Sequence, residues 1–323
     1  MARKVLESWD TDCVEMRSVF CKTLIELAET DPSILVLDAD LMGAIGTRPF
    51  AARFPEKTIN CGIQEANMVG VAAGLSAAGM TPILHTFGAF AARRACDQVF
   101  MSCAYAKLNV KIIGSDPGIT AALNGGTHMP FEDMGIMRCI PGITVLEPTD
   151  NVMLADILKQ ITSIYGVQYM RLTRKTTARV YRDGSKFQIG KAELLRPGKD
   201  VTIIASGYCV AQALKAAENL AAQGIDVRVL DMFTWKPADR EAILSAARET
   251  GAIVTAENHS VVSGLGAAVS EVLDKEQPVP LERIGIQDEF GEVGPVGYLA
   301  DRFHISAPDI EAAARRAFQR KGA

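Results

Sequence analysis

The stretch Cys61-Gly62-Ile63-Gln64-Glu65-Ala66-Asn67-Met68-Val69-Gly70 decides how this chain is read. An extended run over 58–61 enters a turn at Gly62 and restarts as a helix rich in small and apolar residues, predicted over 65–78. A strand, a glycine turn and a helix in that order form a unit of an α/β fold. Glu65 falls in the first turn of the helix. An acid there complements the helix dipole. A second reading makes it a carboxylate held at the end of a sheet, where open α/β folds bind ligands.

On both sides of this stretch, short apolar runs alternate with helix-length segments. Strands are expected at 34–38, 81–86, 110–114, 144–147 and 167–171, and helices at 88–106 and 151–164. Strands this rich in Val and Ile, apolar on both faces, predict a buried parallel sheet with right-handed crossovers. Polar, turn-prone residues over 174–200, with Pro197-Gly198-Lys199-Asp200 at the end, read as a linker with room for one short strand. Beyond it the α/β pattern restarts, with strands at 201–205, 226–230 and 252–256 and helices at 211–223, 240–250, 264–273 and 308–320. The fold class is therefore α/β with two doubly wound domains, over 12–180 and 190–323.

The whole composition fits this. A chain of 323 residues, 48% apolar and 22% charged, is globular and long enough for two cores. The net charge of −4 leaves no basic excess for nucleic acid. No apolar run is long enough to span a membrane, and the first residues lack the apolar segment of a secretion signal. Seven cysteines without a C-x-x-C pair suit reduced thiols and a cytoplasmic location. No P-loop, H-E-x-x-H or G-x-S-x-G motif occurs, and Gly264-Leu265-Gly266 lacks the third glycine of a dinucleotide fingerprint.

Three further segments carry chemistry. Phe87 and Phe90, in His85-Thr86-Phe87-Gly88-Ala89-Phe90, leave a strand and enter a helix, either as core packing or as a stacking platform for a planar ring. In Asn124-Gly125-Gly126-Thr127-His128 a glycine turn presents His128 on a loop, as a proton donor or acceptor or as a solvated turn residue. Glu257-Asn258-His259-Ser260 ends a strand before a glycine-started helix and reads as structural or as an interface element.

Each signal alone is unspecific; their order is not. Asp38-Ala39-Asp40-Leu41, Gly62-Ile63-Gln64-Glu65-Ala66-Asn67, Thr86-Phe87-x-x-Phe90, Gly126-Thr127-His128 and Pro148-x-Asp150 together resemble the pyrimidine-binding domain of transketolase. The Glu257-Asn258-His259-Ser260…Gly264-Leu265-Gly266 stretch resembles the C-terminal domain of the same thiamine diphosphate superfamily. The resemblance runs from about Arg17 to the end of the chain. It implies a parallel-sheet domain that binds the cofactor's pyrimidine, followed by a transketolase C-terminal-like domain. No Gly-Asp-Gly motif for the diphosphate and its metal is present. The resemblance is thus to the C-terminal subunit of a split, two-chain transketolase. It implies an N-terminal partner subunit that holds the diphosphate with Mg2+ or Ca2+, no metal site on this chain, and an α2β2 heterotetramer acting on sugars in carbohydrate metabolism.

The resemblance also implies roles. Glu65 bonds the aminopyrimidine and sets its tautomer; Phe87 and Phe90 flank the ring; Asp40 and Arg93 lie close to the cofactor. His128 moves protons at the reacting hydroxyls, and Arg17 and Arg174 grip the distal anion of the substrate. Asp116 and Asn124 stand where the family binds substrate with a histidine and an acid, Ala44 replaces a phosphate-binding serine, and Arg93 replaces a tyrosine. The implied activity is transfer of a two-carbon ketol unit from an anionic ketose to an aldose. One alternative is the β subunit of a 2-oxo-acid dehydrogenase's decarboxylating component. Thr127-His128-Met129 and Phe87-Gly88-Ala89-Phe90 depart from that family's His-Ser-Gln and Phe-x-Asp-Phe. The other is a non-catalytic scaffold, which has no need of Glu65 together with both phenylalanines.

Overall fold

The computed structural model describes residues 5–321. Among them twelve strands form two sheets: β1 Ile34–Asp38, β2 Thr58–Asn60, β3 Thr81–Phe87, β4 Val110–Ser115, β5 Thr144–Leu146, β6 Val167–Leu172, β7 Glu193–Arg196, β8 Val201–Ala205, β9 Val227–Asp231, β10 Thr234–Lys236, β11 Ile253–Ser260 and β12 Leu281–Ile286. The seven-stranded sheet runs β10-β5-β6-β4-β3-β1-β2, and the five-stranded sheet runs β12-β11-β8-β9-β7. All pairings are parallel except at two edges, where β10 runs antiparallel to β5 and β7 antiparallel to β9.

The strands are buried on both faces because their side chains alternate between two apolar layers. In β1, Ile34 and Val36 join one layer while Leu35 and Leu37 join the other. The first layer also holds Phe20 and Leu24 of the helix Met16–Thr30 and Ala213 and Leu214 of the helix Tyr208–Ala221. The second holds Met68 and Val69 of the helix Glu65–Ala77 and Ile243 of the helix Arg240–Thr250. Each layer thus crosses from one sheet to the other, and the two halves share their cores.

Two expectations are corrected. The helix expected at 88–106 is broken: Gly88–Arg93 is followed by Cys96–Gln98 and a wide turn over Val99–Tyr105. The break lies at Ala95 (φ −118°, ψ 8°) and turns Val99 and Cys103 into the layer that contains Met68. Packing over the neighbouring helix overrides local helix propensity there. The segment over 174–200 does hold a short strand, β7, but it is stapled down rather than free. Thr11 bridges Ala178, and the amides of Val180 and Tyr181 donate to Asp150 Oδ2 at 2.9 and 2.8 Å. Asp150 Oδ1 also caps the helix Asn151–Ser163 through Met153 N.

The β10 edge strand crosses between the halves and places Trp235 in the core, with Nε1 donating to Ser206 Oγ at 3.0 Å. Next to it, Asp231 Oδ2 accepts from Thr149 Oγ1 at 2.6 Å and Tyr181 Oη at 2.7 Å. Its Oδ1 is buried and meets no donor among the described residues. Burial raises this carboxyl to about 7, against the lowering by Thr149 and Tyr181. A raised carboxyl contributes stability that is full below its unfolded value near 4 and is lost as pH rises through 7. Asp231→Asn is therefore expected to flatten this slope. Urea melts at pH 4.5 and 8 should show wild type losing roughly a few kcal/mol relative to the variant. Parallel curves for the two proteins would contradict the assignment.

Candidate active site

The carboxyl ends of β1 and β3 mark the point where successive strands diverge. From β1 the chain moves outward to β2, and from β3 it moves the other way to β4. Such a switch point opens a crevice in α/β sheets. Asp38 and His85 are register partners across it, and Phe87 lies opposite Ser115 on β4. His85 bridges the three strands: Nδ1 lies 3.3 Å from Asp38 Oδ2 and Nε2 lies 2.9 Å from Ser115 Oγ. This buried chain of contacts fixes the floor of the crevice.

Glu65 enters at the start of the helix Glu65–Ala77, whose buried positions are Glu65, Met68, Val69, Ala72, Ala73 and Ser76. That spacing of three and four puts Glu65 on the apolar stripe of the helix. It is only 4% exposed. Thr86 Oγ1 donates to its Oε1 at 3.4 Å, and Arg94 Nη1 lies 3.3 and 3.4 Å from its two oxygens. Arg94 also sits over the Phe90 ring at 3.9 Å from the centroid, a cation–π contact. Its half-exposed side chain leaves this ion pair screened by solvent on one side.

The aromatic residues converge beside it. Phe87 and Phe90 lie 5.9 Å apart edge to face, and the His128 ring stands 5.5 Å from Phe87 and 5.2 Å from Phe90. His128 Nδ1 lies 2.9 Å from Thr127 Oγ1. The loop that carries it is pinned from the second half of the chain: a Cβ on Gly126 would lie 2.1 Å from the carbonyl oxygen of Gly291. Only glycine permits that approach.

Arg174 reaches the same place from the other side, 5.0 Å above the Phe87 ring. Its Nε and Nη2 donate to the two oxygens of the buried Asp116 at 2.8 and 2.6 Å, while Asn124 Nδ2 donates to Asp116 at 3.3 Å. Arg17 and Arg174 both point Nη1 at the carbonyl of Ala44, at 3.0 and 3.5 Å. Asp40 is exposed on the rim, 3.4 Å from Asn60 Nδ2. Asp40, Asp116 and Ala122 have φ of 62°, 60° and 47°. Left-handed backbone of this kind in non-glycine residues clusters at functional loops.

The matches to known proteins follow this geometry. Residues 12–179 match the family model "Transketolase, pyrimidine binding domain", and residues 190–310 match "Transketolase, C-terminal domain". The chain belongs to the transketolase family. It is 51% identical, over 98% of its length and 97% of the relative's, to the 6-deoxy-6-sulfo-D-fructose transketolase subunit SqwH of a Clostridium species. It is 39% identical to an apulose-4-phosphate transketolase subunit of Phocaeicola vulgatus, over 85% of this chain and 88% of that one. Among solved structures, a split gene transketolase described as an inactive beta4 tetramer superposes with a TM-score of 0.88. Its identity is 42%, covering 95% of this chain and 99% of that one.

The site suits the family's cofactor, thiamine diphosphate. A buried carboxyl group beside aromatic edges is the donor set an aminopyrimidine needs: a group to share a proton with a ring nitrogen and apolar walls for its faces. Glu65, Phe87, Phe90, His128, Asp116, Asn124, Arg17 and Arg174 are joined by a run of contacts: Arg94 links Glu65 to Phe90, and Arg174 links Phe87 to Asp116 and, at the Ala44 carbonyl, to Arg17. Arg93 donates to Thr127 O at 2.9 Å, beside His128, and pairs with Glu132 Oε1 at 3.2 Å. The adjacent Arg94 is the arginine that meets Glu65. Sequence reasoning missed Arg94 and the bridging role of His85. The helix Glu65–Ala77 is apolar nearly all round, with Val71 and Leu75 off the buried stripe, so no period in the sequence announces that Glu65 faces inward, and nothing local distinguishes Arg93 from Arg94.

Glu257 ties elements within the second half, and His259 serves the join between the halves. Glu257 accepts from the backbone N–H of Leu265 and Gly266 at 2.6 and 2.8 Å, capping the helix Leu265–Glu276. His259 Nε2 meets Gly135 N at 3.2 Å, and burial pushes its pKa down to about 4, so it is neutral at pH 7.

Proposed function

We propose that this chain is the pyrimidine-binding subunit of a two-chain transketolase, transferring a two-carbon ketol unit from a ketose with an anionic terminus to an aldose. The observation that carries the proposal is Glu65 buried beside the Phe87–Phe90–His128 cluster at the switch point of the sheet. The cofactor supplies the nucleophilic carbon and the electron sink that carbon–carbon cleavage requires. Glu65 holds the proton shared with the pyrimidine ring nitrogen. Phe87 and Phe90 wall the ring and exclude water from it. His128, with Thr127 at its Nδ1, moves protons at the reacting hydroxyls. Asp40 and Arg93 border the cofactor, and Asn124 contacts substrate hydroxyls. Arg17, Arg174 and Asp116 meet the anionic end.

Among the described residues there is no group of three or more His, Cys, Asp and Glu side chains placed to hold a metal ion. We assign Mg2+ or Ca2+ and the diphosphate to an N-terminal partner subunit, in an α2β2 assembly in the cytoplasm. Support comes from two relatives named as transketolase subunits and from the solved split gene homologue, named inactive as a tetramer of one chain type. Both relatives are named for sugars bearing an anionic group. No helix among the described residues is long and apolar enough to cross a membrane.

The test is calorimetric titration with thiamine diphosphate and Mg2+, of this chain alone and with the partner, followed by donor consumption. Tight binding and ketol transfer only in the mixture are expected. Full activity of this chain alone would refute the two-chain reading.

A further inference from the structure

Each arginine at the substrate's anionic end already faces a carboxylate. Asp116 grips Arg174 through the paired contacts at 2.8 and 2.6 Å, and Arg17 Nε donates to Glu15 Oε2 at 2.6 Å. Asp116 is the acid that is held in place. Asp116 is 1% exposed, its amide donates to Leu172 O, and Asn124 holds Oδ2. Glu15 also takes Lys175 Nζ at 3.0 Å, and the hydrogen bond from Lys175, then that from Arg17, keeps its carboxyl below the usual range. Other charged groups nearby are the exposed Lys175 and Arg48, the latter against Gly43, and the titratable His128 lies beyond the Phe87 ring. Two of these four cations are balanced by Asp116 and Glu15, and the excess of two positive charges lies with Lys175 and Arg48 at the exposed rim, where solvent and salt screen it.

We propose that this subsite selects a singly charged sulfonate terminus over a doubly charged phosphate terminus, and that Asp116 is the residue that sets the preference. The proposal rests on the transketolase reading above and specifies its substrate. A phosphate monoester carries about −1.5 to −2 charges at pH 7, with its second pKa near 6. Its second charge meets the carboxylate of Asp116 across Arg174, whose own charge that buried carboxylate already balances. A sulfonate has the same three-oxygen shape with one charge at any working pH. The two arginines, meeting at the Ala44 carbonyl, supply donors for those oxygens without needing further cations. The same geometry explains why a carboxylate is tolerated in an anion pocket: it tunes the charge instead of blocking the space.

The test compares 6-deoxy-6-sulfofructose with fructose 6-phosphate on the assembled two-chain enzyme, at pH 7.5 and 5.5, by kcat/KM and by calorimetric Kd. Wild type is expected to favour the sulfonate by at least about tenfold at pH 7.5. At pH 5.5, where the phosphate carries nearer one charge, the ratio should fall toward unity. Asp116→Asn keeps shape and tolerates the φ of 60° at this position, so the fold should survive. It should release Arg174 and bring the two donors within about threefold at pH 7.5. Equal use of both donors by wild type at pH 7.5, or a ratio unmoved by Asp116→Asn, would overturn the proposal. Should Asp116→Asn misfold, the wild-type pH comparison decides by itself. Absence of turnover with both donors would strike the transketolase reading instead, and the Kd ratio would still judge the subsite.

Discussion

Glu65→Gln is expected to lower turnover of the assembled complex by about 10²–10⁴-fold, the range for a group that moves a proton in the rate-limiting chemistry. Glutamine has the same shape and can still accept the hydrogen bond from Thr86, so the helix Glu65–Ala77 should keep its seat on the sheet. What it loses is the capacity to share a proton with a ring nitrogen. Arg94 loses its carboxylate partner, but its side chain is half exposed and rehydrates at little cost. The measurement is donor consumption by wild-type and variant complexes, alongside sedimentation to show that the assembly is intact. Turnover within about threefold of wild type would remove Glu65 from the chemistry and favour a scaffold role for the chain.

Arg171→Met is expected to destabilise the fold by about 3–5 kcal/mol, the range for breaking one side of a buried ion pair. Arg171 and Asp133 are both fully buried. The guanidinium donates to both oxygens of Asp133, to Pro130 O at 2.8 Å and to Asn258 O at 3.0 Å, and Glu147 lies 3.7 Å away. Burial by itself pushes Asp133 up, but the charge and hydrogen bonds of Arg171 more than reverse this and leave it below its ordinary value. Without Arg171 that carboxylate keeps Tyr169 and loses its counter-charge. For a depressed carboxyl, the stability it contributes is present above its unfolded value near 4 and is lost as pH falls. The melting temperature should drop by on the order of 10 °C at neutral pH. Adding Asp133→Asn should recover part of the loss, because the uncompensated charge is then gone. A single variant that melts within about 2 °C of wild type would show that the network carries no stability.

The same variant should also weaken catalysis. Arg171 ties Pro130, two residues beyond His128, to Asn258 of the second half. Asn258 in turn accepts from Ile119 N and donates to Pro117 O, just beyond Asp116. The second half therefore holds the two loops that carry Asp116 and His128. This gives its Glu257-Asn258-His259 strand end a positioning role, although none of these side chains enters the crevice.

The sequence by itself determined the α/β class, the central strands and the family. The central strands are legible because each is a short apolar run that must be buried on both faces, and that requirement is local to the run. Glu65 at a helix start, the Phe87–Phe90 spacing and the glycine loop of His128 are legible for the same reason: each is fixed by backbone geometry within a few residues. Tertiary structure alone decided what depends on distant parts of the chain. The break at Ala95 follows from packing against the earlier helix Glu65–Ala77, and β10 is three residues long, with no pattern to announce that it joins the other half's sheet. Arg93 and Arg94 are identical neighbours in the sequence, and only the direction each leaves the helix separates a loop anchor from the partner of Glu65. Asp116 reads as a charge that would repel an anion. Only the structure pairs it with Arg174, 58 positions away, so that its charge is balanced, because a buried charge acts through its partner and the partner is set by strand register.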